Sequence, residues 1–286
     1  MRDGYIHLYL QTVKMKTFKI IFTIVTLSAL ISACNKFDKL VKSSDYELKF
    51  TKAKEYFDKK NYLNAMTLLD ELIPVYKGTE RAEEVYYLYA FCNYNMGDFG
   101  LAAFHFKMYT RNFPKNKRAE ECAFLNAICY YKNSPKYSLD QEDTKTAILE
   151  MQEFANVYPE SPRIDSCNKL MDELRGKLER KSYEITKQYY FIEDWKASIN
   201  ESKNFLSAYP NSVRSEEIQF INLKSNYLLS KNSIEKKKAE RLDNTIESYL
   251  KFIDLYPQSK YLGEADEIYT VCKKLKEELN SQKNGL

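Results

Sequence analysis

The feature that most constrains the fold is a short pattern that recurs five times along the chain. Each copy begins with an aromatic residue, has proline next in four of the five cases, and has Ser, Thr or Asn three residues after the aromatic. Proline ends one helix, and a Ser, Thr or Asn side chain can cap the next. The copies begin at Tyr76, Phe113, Tyr158, Tyr209 and Tyr256, with spacings of 37, 45, 51 and 47 residues. Such periods are typical of helical repeat proteins.

The residues in front of each aromatic repeat as well. A small residue stands eleven positions upstream, where paired helices must approach closely, and a large apolar residue stands four positions upstream. The small residues are Ala65, Ala102, Ala147, Ser198 and Thr245, and the apolar ones are Leu72, Tyr109, Phe154, Phe205 and Phe252. With 7 Gly and 7 Pro in 286 residues, the chain is expected to form long helices with short loops, and a many-turned β protein is disfavoured.

The second repeat resembles the tetratricopeptide motif of 34 residues. Its small, glycine, aromatic, small, aromatic and proline positions are Ala90, Gly97, Phe99, Ala102, Phe106 and Pro114. In the first repeat Lys60 replaces the turn glycine. The resemblance implies an all-α, right-handed superhelical solenoid of about five helical hairpins, in which each hairpin is stabilised by its neighbours. A capping helix from about Tyr261 to Asn280 would end it, and a polar loop, Asn133 to Thr144, would separate the helices of repeat 3.

A basic and then apolar segment precedes the repeats. Lys16 and Lys19 are followed by the apolar run 20–30 and by Ile-Ser-Ala in front of Cys34. This order is typical of a signal peptide, and the run is too short to span a bilayer comfortably. The small residues predict cleavage before Cys34 and lipid attachment to it, as in bacterial lipoproteins. The alternative is an ordinary cleaved signal in which Cys34 is incidental.

These features predict how the N-terminal part of the chain is divided. Residues 1–14 fit no signal pattern, so Met15 is the expected start, residues 1–33 are the signal peptide, and residues 34–45 are a lipid-anchored linker. Removal of residues 1–33 takes away four basic residues and one acidic residue and lowers the formal net charge from +4 to +1. A nucleic-acid-binding protein would show a strong basic excess, so that class is disfavoured.

The residue types required for catalysis or metal binding are scarce. The two histidines are His7, upstream of the signal, and His105, and no nucleotide-binding, hydrolase or metalloprotease motif occurs. We therefore expect no enzyme, no metal site and no cofactor. The five cysteines after Cys34 form no CxxC pair, and we expect buried free thiols rather than disulfides. They are Cys92, Cys122, Cys129, Cys167 and Cys272.

Three features together resemble the BamD family, lipoprotein subunits of the machinery that inserts β-barrel proteins into bacterial outer membranes. They are Cys34 followed closely by repeat 1, the loop segment 138–147 in repeat 3, and the segment 174–185, which corresponds to the unusually long first helix of repeat 4 in that family. The resemblance implies a lipid-anchored outer-membrane scaffold that faces the periplasm. Its implied partners are a barrel-forming BamA-type subunit, other assembly lipoproteins and unfolded outer-membrane protein precursors.

The same resemblance implies a division of labour along the chain. Residues 46–161, with repeats 1 to 3, would bind substrate, and residues 162–282, with repeats 4 and 5 and the capping helix, would bind partner subunits. An alternative function is that of another envelope tetratricopeptide lipoprotein adaptor, which coordinates cell-wall synthesis or belongs to a nutrient-capture complex.

A candidate peptide groove follows from the repeat register, since three positions of each first helix line the concave face of such hairpins. In repeats 1 to 3, eight of these nine positions are apolar or aromatic, and the ninth is Lys54. The eight are Phe50, Phe57, Tyr87, Phe91, Tyr94, Phe124, Ile128 and Tyr131. Exposed aromatic surfaces usually mark interaction sites. The alternative is that several of these side chains fold back into the core of their hairpin.

Overall fold

The computed structural model describes residues 36–284, and this part of the chain is helical without a β-strand. A short helical segment at residues 36–41 is followed by eleven helices. In chain order they are α1 (Tyr46–Asp58), α2 (Tyr62–Tyr76), α3 (Ala82–Met96), α4 (Phe99–Asn112), α5 (Ala119–Asn133), α6 (Glu142–Val157), α7 (Ile164–Phe191), α8 (Trp195–Ala208), α9 (Ser215–Lys231), α10 (Glu235–Leu255) and α11 (Leu262–Asn284). The prediction of an all-α fold built from tetratricopeptide-type hairpins is confirmed.

Three of the second helices begin with the same cap. The side-chain oxygens of Asn61, Asp98 and Asp194 accept hydrogen bonds from the backbone N–H three residues on, at 3.3, 3.1 and 3.1 Å. These caps satisfy N–H groups that have no partner in the first turn of a helix. They explain why α2, α4 and α8 begin with the aromatic residues that the repeat pattern aligned.

The residue before each of these caps has a left-handed backbone. Gly97 has φ 82°, and Lys60 and Glu193 have φ 60° and 62°. Glycine adopts such angles freely, whereas a side chain is crowded by its own backbone. Although Lys60 replaces the turn glycine of repeat 1, the hairpin keeps the same turn and carries the local strain.

The predicted helix ends and interior positions are confirmed. Tyr76 is the last residue of α2, and the other four aromatics directly follow α4, α6, α8 and α10. In those four, the aromatic residue donates its backbone N–H to the carbonyl four residues earlier, at 2.8 to 2.9 Å. The small residues eleven positions upstream and the apolar residues four positions upstream are all buried, with no more than 2% of any side chain exposed.

The chain divides into two compact units, residues 1–133 and 134–286. In the first unit, α3 packs against α2 and α4, and α4 against α5. In the second, α7 packs against α6 and α8, α9 against α8 and α10, and α10 against α11. The division falls inside repeat 3, where residues 134–141 leave helical structure, whereas the sequence places the functional boundary after residue 161.

The segment in front of α1 is attached to repeat 1. Phe37 lies against Tyr56 in an edge-to-face arrangement, with ring centroids 5.6 Å apart. The buried ammonium of Lys49 donates to the carbonyl oxygen of Val41 at 2.6 Å and pairs with the carboxylate of Glu71. This part of the expected linker is therefore held against α1 and α2. Cys34 and the signal peptide lie outside the described residues.

The five described cysteines are buried free thiols, as predicted. Burial raises the pKa of the Cys92 and Cys129 thiols to about 12 and that of Cys272 to about 11. Thiolate is the reactive form of cysteine, so these side chains are inert members of the core.

Candidate peptide-binding site

The eight residues of the predicted groove all lie on α1, α3 and α5, within the first unit. Seven of them are half-buried, and Phe50 is buried. The seven half-buried side chains are partly covered and partly at the surface, and Phe57, Tyr87, Phe91 and Tyr94 pack against the hairpin cores. The sequence left open whether these residues belong to the surface or to the hairpin core. Their intermediate burial means that these seven side chains contribute to both.

The aromatic residues of α3 form one connected cluster. The ring of Phe91 lies 4.5 Å from that of Tyr87 and 6.4 Å from that of Tyr94, measured between centroids. Beneath them, the fully buried Phe106 of α4 meets Phe91 and Tyr94 edge to face at 5.2 and 6.1 Å. Aromatic pairs prefer edge-to-face or offset-stacked arrangements, so these contacts favour specific ring positions. The half-buried rings are therefore held in place by the core.

Phe50 does not belong to this surface, which corrects the expectation from the repeat register. Its side chain is only 7% exposed and lies in the core of repeat 1. The ring of Tyr76 lies 6.0 Å away, and the Arg81 guanidinium and the Lys54 ammonium lie over the Phe50 ring at 5.4 and 5.5 Å. These neighbours cover the face that would otherwise contact a ligand.

The remaining members lie on α1 and α5. Phe57, near the end of α1, is half-buried and meets Tyr62 edge to face at 5.6 Å. On α5, Phe124, Ile128 and Tyr131 are half-buried at successive turns of one helix face. The spacing of four and three residues places these three side chains in a row.

Cations border the aromatic cluster. The Arg118 guanidinium lies 4.3 Å from the centre of the Tyr87 ring, and the Lys132 ammonium lies 5.8 Å from that of Tyr94. Lys54, the polar exception among the nine groove positions, pairs with Glu84 of α3 at 2.6 Å. Because Arg118 and Lys54 are each paired with a carboxylate of α3, these cations cover ring faces more than they add net positive charge.

The hydroxyl groups in this region stay protonated. Burial and the hydrogen bond to the Glu121 carboxylate, at 3.0 Å, raise the pKa of Tyr87. Burial also raises the pKa of Tyr94. Each phenol therefore remains a hydrogen-bond donor at physiological pH.

The sequence reasoning missed an arginine that joins consecutive repeats. Arg118 donates to Glu83 at 3.2 Å, and Arg214 donates to Glu179 at 2.7 Å, and the partners are 35 positions apart in each case. Arg81 pairs with Glu47 in the same way. The repeat pattern contains this arginine, which stands five positions after four of the five repeat aromatics. Its partner could not be assigned from the sequence, since acidic residues are abundant in every first helix.

In residues 36–284 no group of three or more His, Cys, Asp and Glu side chains could hold a metal ion. His105 is half-buried beside Tyr89, with ring centroids 4.7 Å apart, and burial lowers its pKa. None of the helices in this range has the length and apolar character needed to cross a bilayer.

A family model described as "YfiO: Outer membrane lipoprotein" matches residues 42–242 of the chain. The chain belongs to the YfiO family. The match begins just before α1 and ends within α10, so the matched region includes residues of both compact units. The predicted class, an outer-membrane lipoprotein of helical hairpins, agrees with this family.

The other comparisons were with curated proteins and solved structures. The chain matches none of the curated proteins. Among solved structures, the TPR2AB-domain:pHSP90-complex of yeast Sti1 is 11% identical, with a TM-score of 0.36, over 80% of this chain and 99% of that chain.

Proposed function

We propose that the protein is a scaffold of the outer-membrane β-barrel assembly machinery. In this function it binds unfolded barrel precursors and partner subunits and promotes insertion of the precursors. The observation that carries the proposal is membership of the YfiO family of outer membrane lipoproteins, over residues 42–242. Helical hairpins without a metal-binding cluster in the described range suit a binding function.

The half-buried aromatic residues of α1, α3 and α5 are the proposed binding surface for precursors. A barrel precursor is an extended chain whose strands alternate apolar and polar residues and end in an aromatic residue. The rings of Phe91, Phe124 and their neighbours would accept its apolar side chains, and the protonated phenol of Tyr94 would donate to a backbone carbonyl. The Tyr87 hydroxyl already donates to the Glu121 carboxylate, so Tyr87 would contribute its ring. Phe50 is left out of this surface because it is buried.

Truncation of two of these rings tests the surface. The double change Phe91→Ala with Phe124→Ala should weaken binding of a C-terminal strand peptide of an outer-membrane barrel protein by about tenfold or more, because aromatic interface anchors often contribute about 2 kcal/mol each. Fluorescence anisotropy with the labelled peptide measures the affinity. The matched control is Leu101→Ala with Phe104→Ala, since both side chains are at least half exposed on α4, outside the proposed surface. Equal affinities of the two double variants would contradict the proposed surface.

The proposed anchor is a lipid on Cys34. Two or more acyl chains bury many methylene groups, each worth about 0.8 kcal/mol, and such an anchor holds a protein stably in a membrane. Cys34→Ser should therefore move the protein from the membrane fraction to the soluble fraction or leave it with its signal peptide uncleaved. Membrane fractionation and mass spectrometry of the N-terminus distinguish these two outcomes. A variant that is cleaved normally and stays in the membrane fraction would contradict the proposed anchor.

The partners are a barrel-forming BamA-type subunit and other assembly lipoproteins, and the body of the protein faces the periplasm. Purification of the tagged protein from detergent-solubilised membranes tests this complex. Recovery of a large barrel protein with periplasmic repeat modules supports the proposal. Recovery of murein-synthesising enzymes instead would indicate the alternative, an adaptor for cell-wall synthesis. Protease accessibility in intact cells tests the orientation.

A further inference from the structure

A second candidate site lies in the other compact unit. A cavity of about 620 Å³ opens between α8, α9 and α10. Its volume lies within the range of about 300–1,000 Å³ that is typical of ligand pockets. Most lining residues are polar, with five carboxamide side chains and six charged ones beside three aliphatic ones, and none is aromatic. It therefore differs in chemistry from the aromatic surface of α1, α3 and α5.

The floor of the cavity is a fixed array of carboxamides. Asn222 donates to the carbonyl oxygen of Ile199 at 3.2 Å and accepts from the Ser248 hydroxyl at 3.0 Å. Asn226 donates to the Asn222 carbonyl oxygen at 2.9 Å. Because these residues are buried and bonded to one another, the floor keeps its shape without a ligand.

One carboxamide of this floor has no partner. Gln219 is only 2% exposed and lines the cavity, but its side chain makes no hydrogen bond within residues 36–284. Asn200 and Asn244, which line the cavity nearer its mouth, also have unused amide groups in the described range. Donors and acceptors are therefore available for a ligand.

Positive charge predominates around these amides. Lys196, Lys203 and Lys251 line the cavity, and none of the three has a carboxylate within ion-pair distance in the described part of the chain. Arg241 adds a fourth cation, whereas Glu240 and Glu247 are the two acidic residues of the lining. A cleft with an excess of one sign of charge raises the local concentration of ligands of the opposite sign.

We propose that this cavity binds an extended, acidic peptide segment of a partner protein. A carboxamide presents one donor group and one acceptor, which match the C=O and N–H of an extended backbone. The lysines would pair with Asp or Glu side chains of the segment. A peptide suits the lining better than a glycan because no aromatic ring is present for a sugar to stack on. The proposal goes beyond barrel assembly, since it specifies a peptide site in α8 to α10 for any envelope complex.

Two labelled peptides test the proposal with the full-length protein. One is a decapeptide of alternating Glu and Ser, and the other has Gln in place of every Glu. The acidic peptide should bind more tightly, and its affinity should fall as NaCl is raised because salt screens exposed charges. Lys203→Glu with Lys251→Glu should weaken its binding by about tenfold or more, since like charges would then face each other. Binding of both peptides with equal affinity, or of neither, would overturn the proposal.

Two further variants separate the site from general effects of charge and folding. The control variant Lys236→Glu with Lys237→Glu makes the same change in net charge, at exposed positions of α10 outside the cavity. The affinity of this control for the acidic peptide should stay within twofold of that of the unaltered protein. Gln219→Leu should leave the melting temperature unchanged or raise it, since the amide has no partner, yet it should weaken peptide binding. An equal loss of peptide affinity in the cavity variant (Lys203→Glu with Lys251→Glu) and in this control would overturn the proposal. Tighter binding of labelled tetragalacturonate in the same cavity would overturn it in favour of a glycan.

Discussion

Phe106→Ala is expected to lower the free energy of unfolding by about 3–5 kcal/mol, the usual cost of removing a buried aromatic ring. Phe106 is fully buried in α4, and its ring supports those of Phe91 and Tyr94. Alanine would leave a cavity beneath both. Urea denaturation followed by circular dichroism measures the effect, and peptide affinity should fall with it because the supported rings lose their position.

Phe104→Ala is the matched control for this experiment. Phe104 lies two residues away on the same helix, but its side chain is 57% exposed. The same truncation should change stability by about 0.5 kcal/mol or less, as is usual at the surface. Similar losses for the two variants would show that Phe106 is not the centre of the hairpin core.

The second large effect is expected for Glu71→Ala. Lys49 is 2% exposed and has its ammonium between the Glu71 carboxylate and the carbonyl of Val41. Removal of one partner of a buried ion pair leaves an uncompensated charge and costs about 3–5 kcal/mol. Glu71 itself is 38% exposed, so water can partly replace it, and we expect a loss near the lower value. Thermal melting of the full chain measures the loss.

A double-mutant cycle identifies the cause. Lys49→Met removes the buried charge and keeps an apolar stem of similar length, so Glu71→Ala should cost much less in that background. If Glu71→Ala costs the same with Lys49 or Met at this position, the lost stability comes from packing around Glu71 rather than from the unpaired ammonium.

Much of the fold could be predicted from the sequence because its signals are local. An aromatic residue, a proline and a Ser, Thr or Asn within four positions specify where one helix ends and the next begins. The expected cap is not formed, because the N-cap positions of α3, α7 and α9 are arginines without a side-chain cap. The Ser or Asn instead accepts from the backbone N–H two residues on and so shapes the turn. Ala102 and Tyr109 illustrate the interior positions, whose burial follows from their distance to Phe113. The long helix α7, with 28 residues, was predicted instead from the family resemblance, since no local pattern in the sequence specifies its length.

The parts that could not be predicted depend on contacts between distant residues. The repeat register assigned Phe50 to the groove, but Arg81, which lies 31 positions later in the chain, covers its ring. The pairing of Arg118 with Glu83 likewise depends on how two repeats stack. The cavity of the second unit was not predicted at all, because Gln219 and Lys251 come from different helices and neither belongs to a motif.

The attachment of residues 36–41 to repeat 1 limits how far the body can move from a membrane. If Cys34 carries lipid as proposed, only Asn35 separates it from this segment, and two residues span at most about 7 Å. Repeat 1 would then be held next to the lipid headgroups, with rotation about the anchor as its main freedom. A precursor or partner would then meet the aromatic rings of α1 and α3 close to the membrane rather than far out in the surrounding compartment.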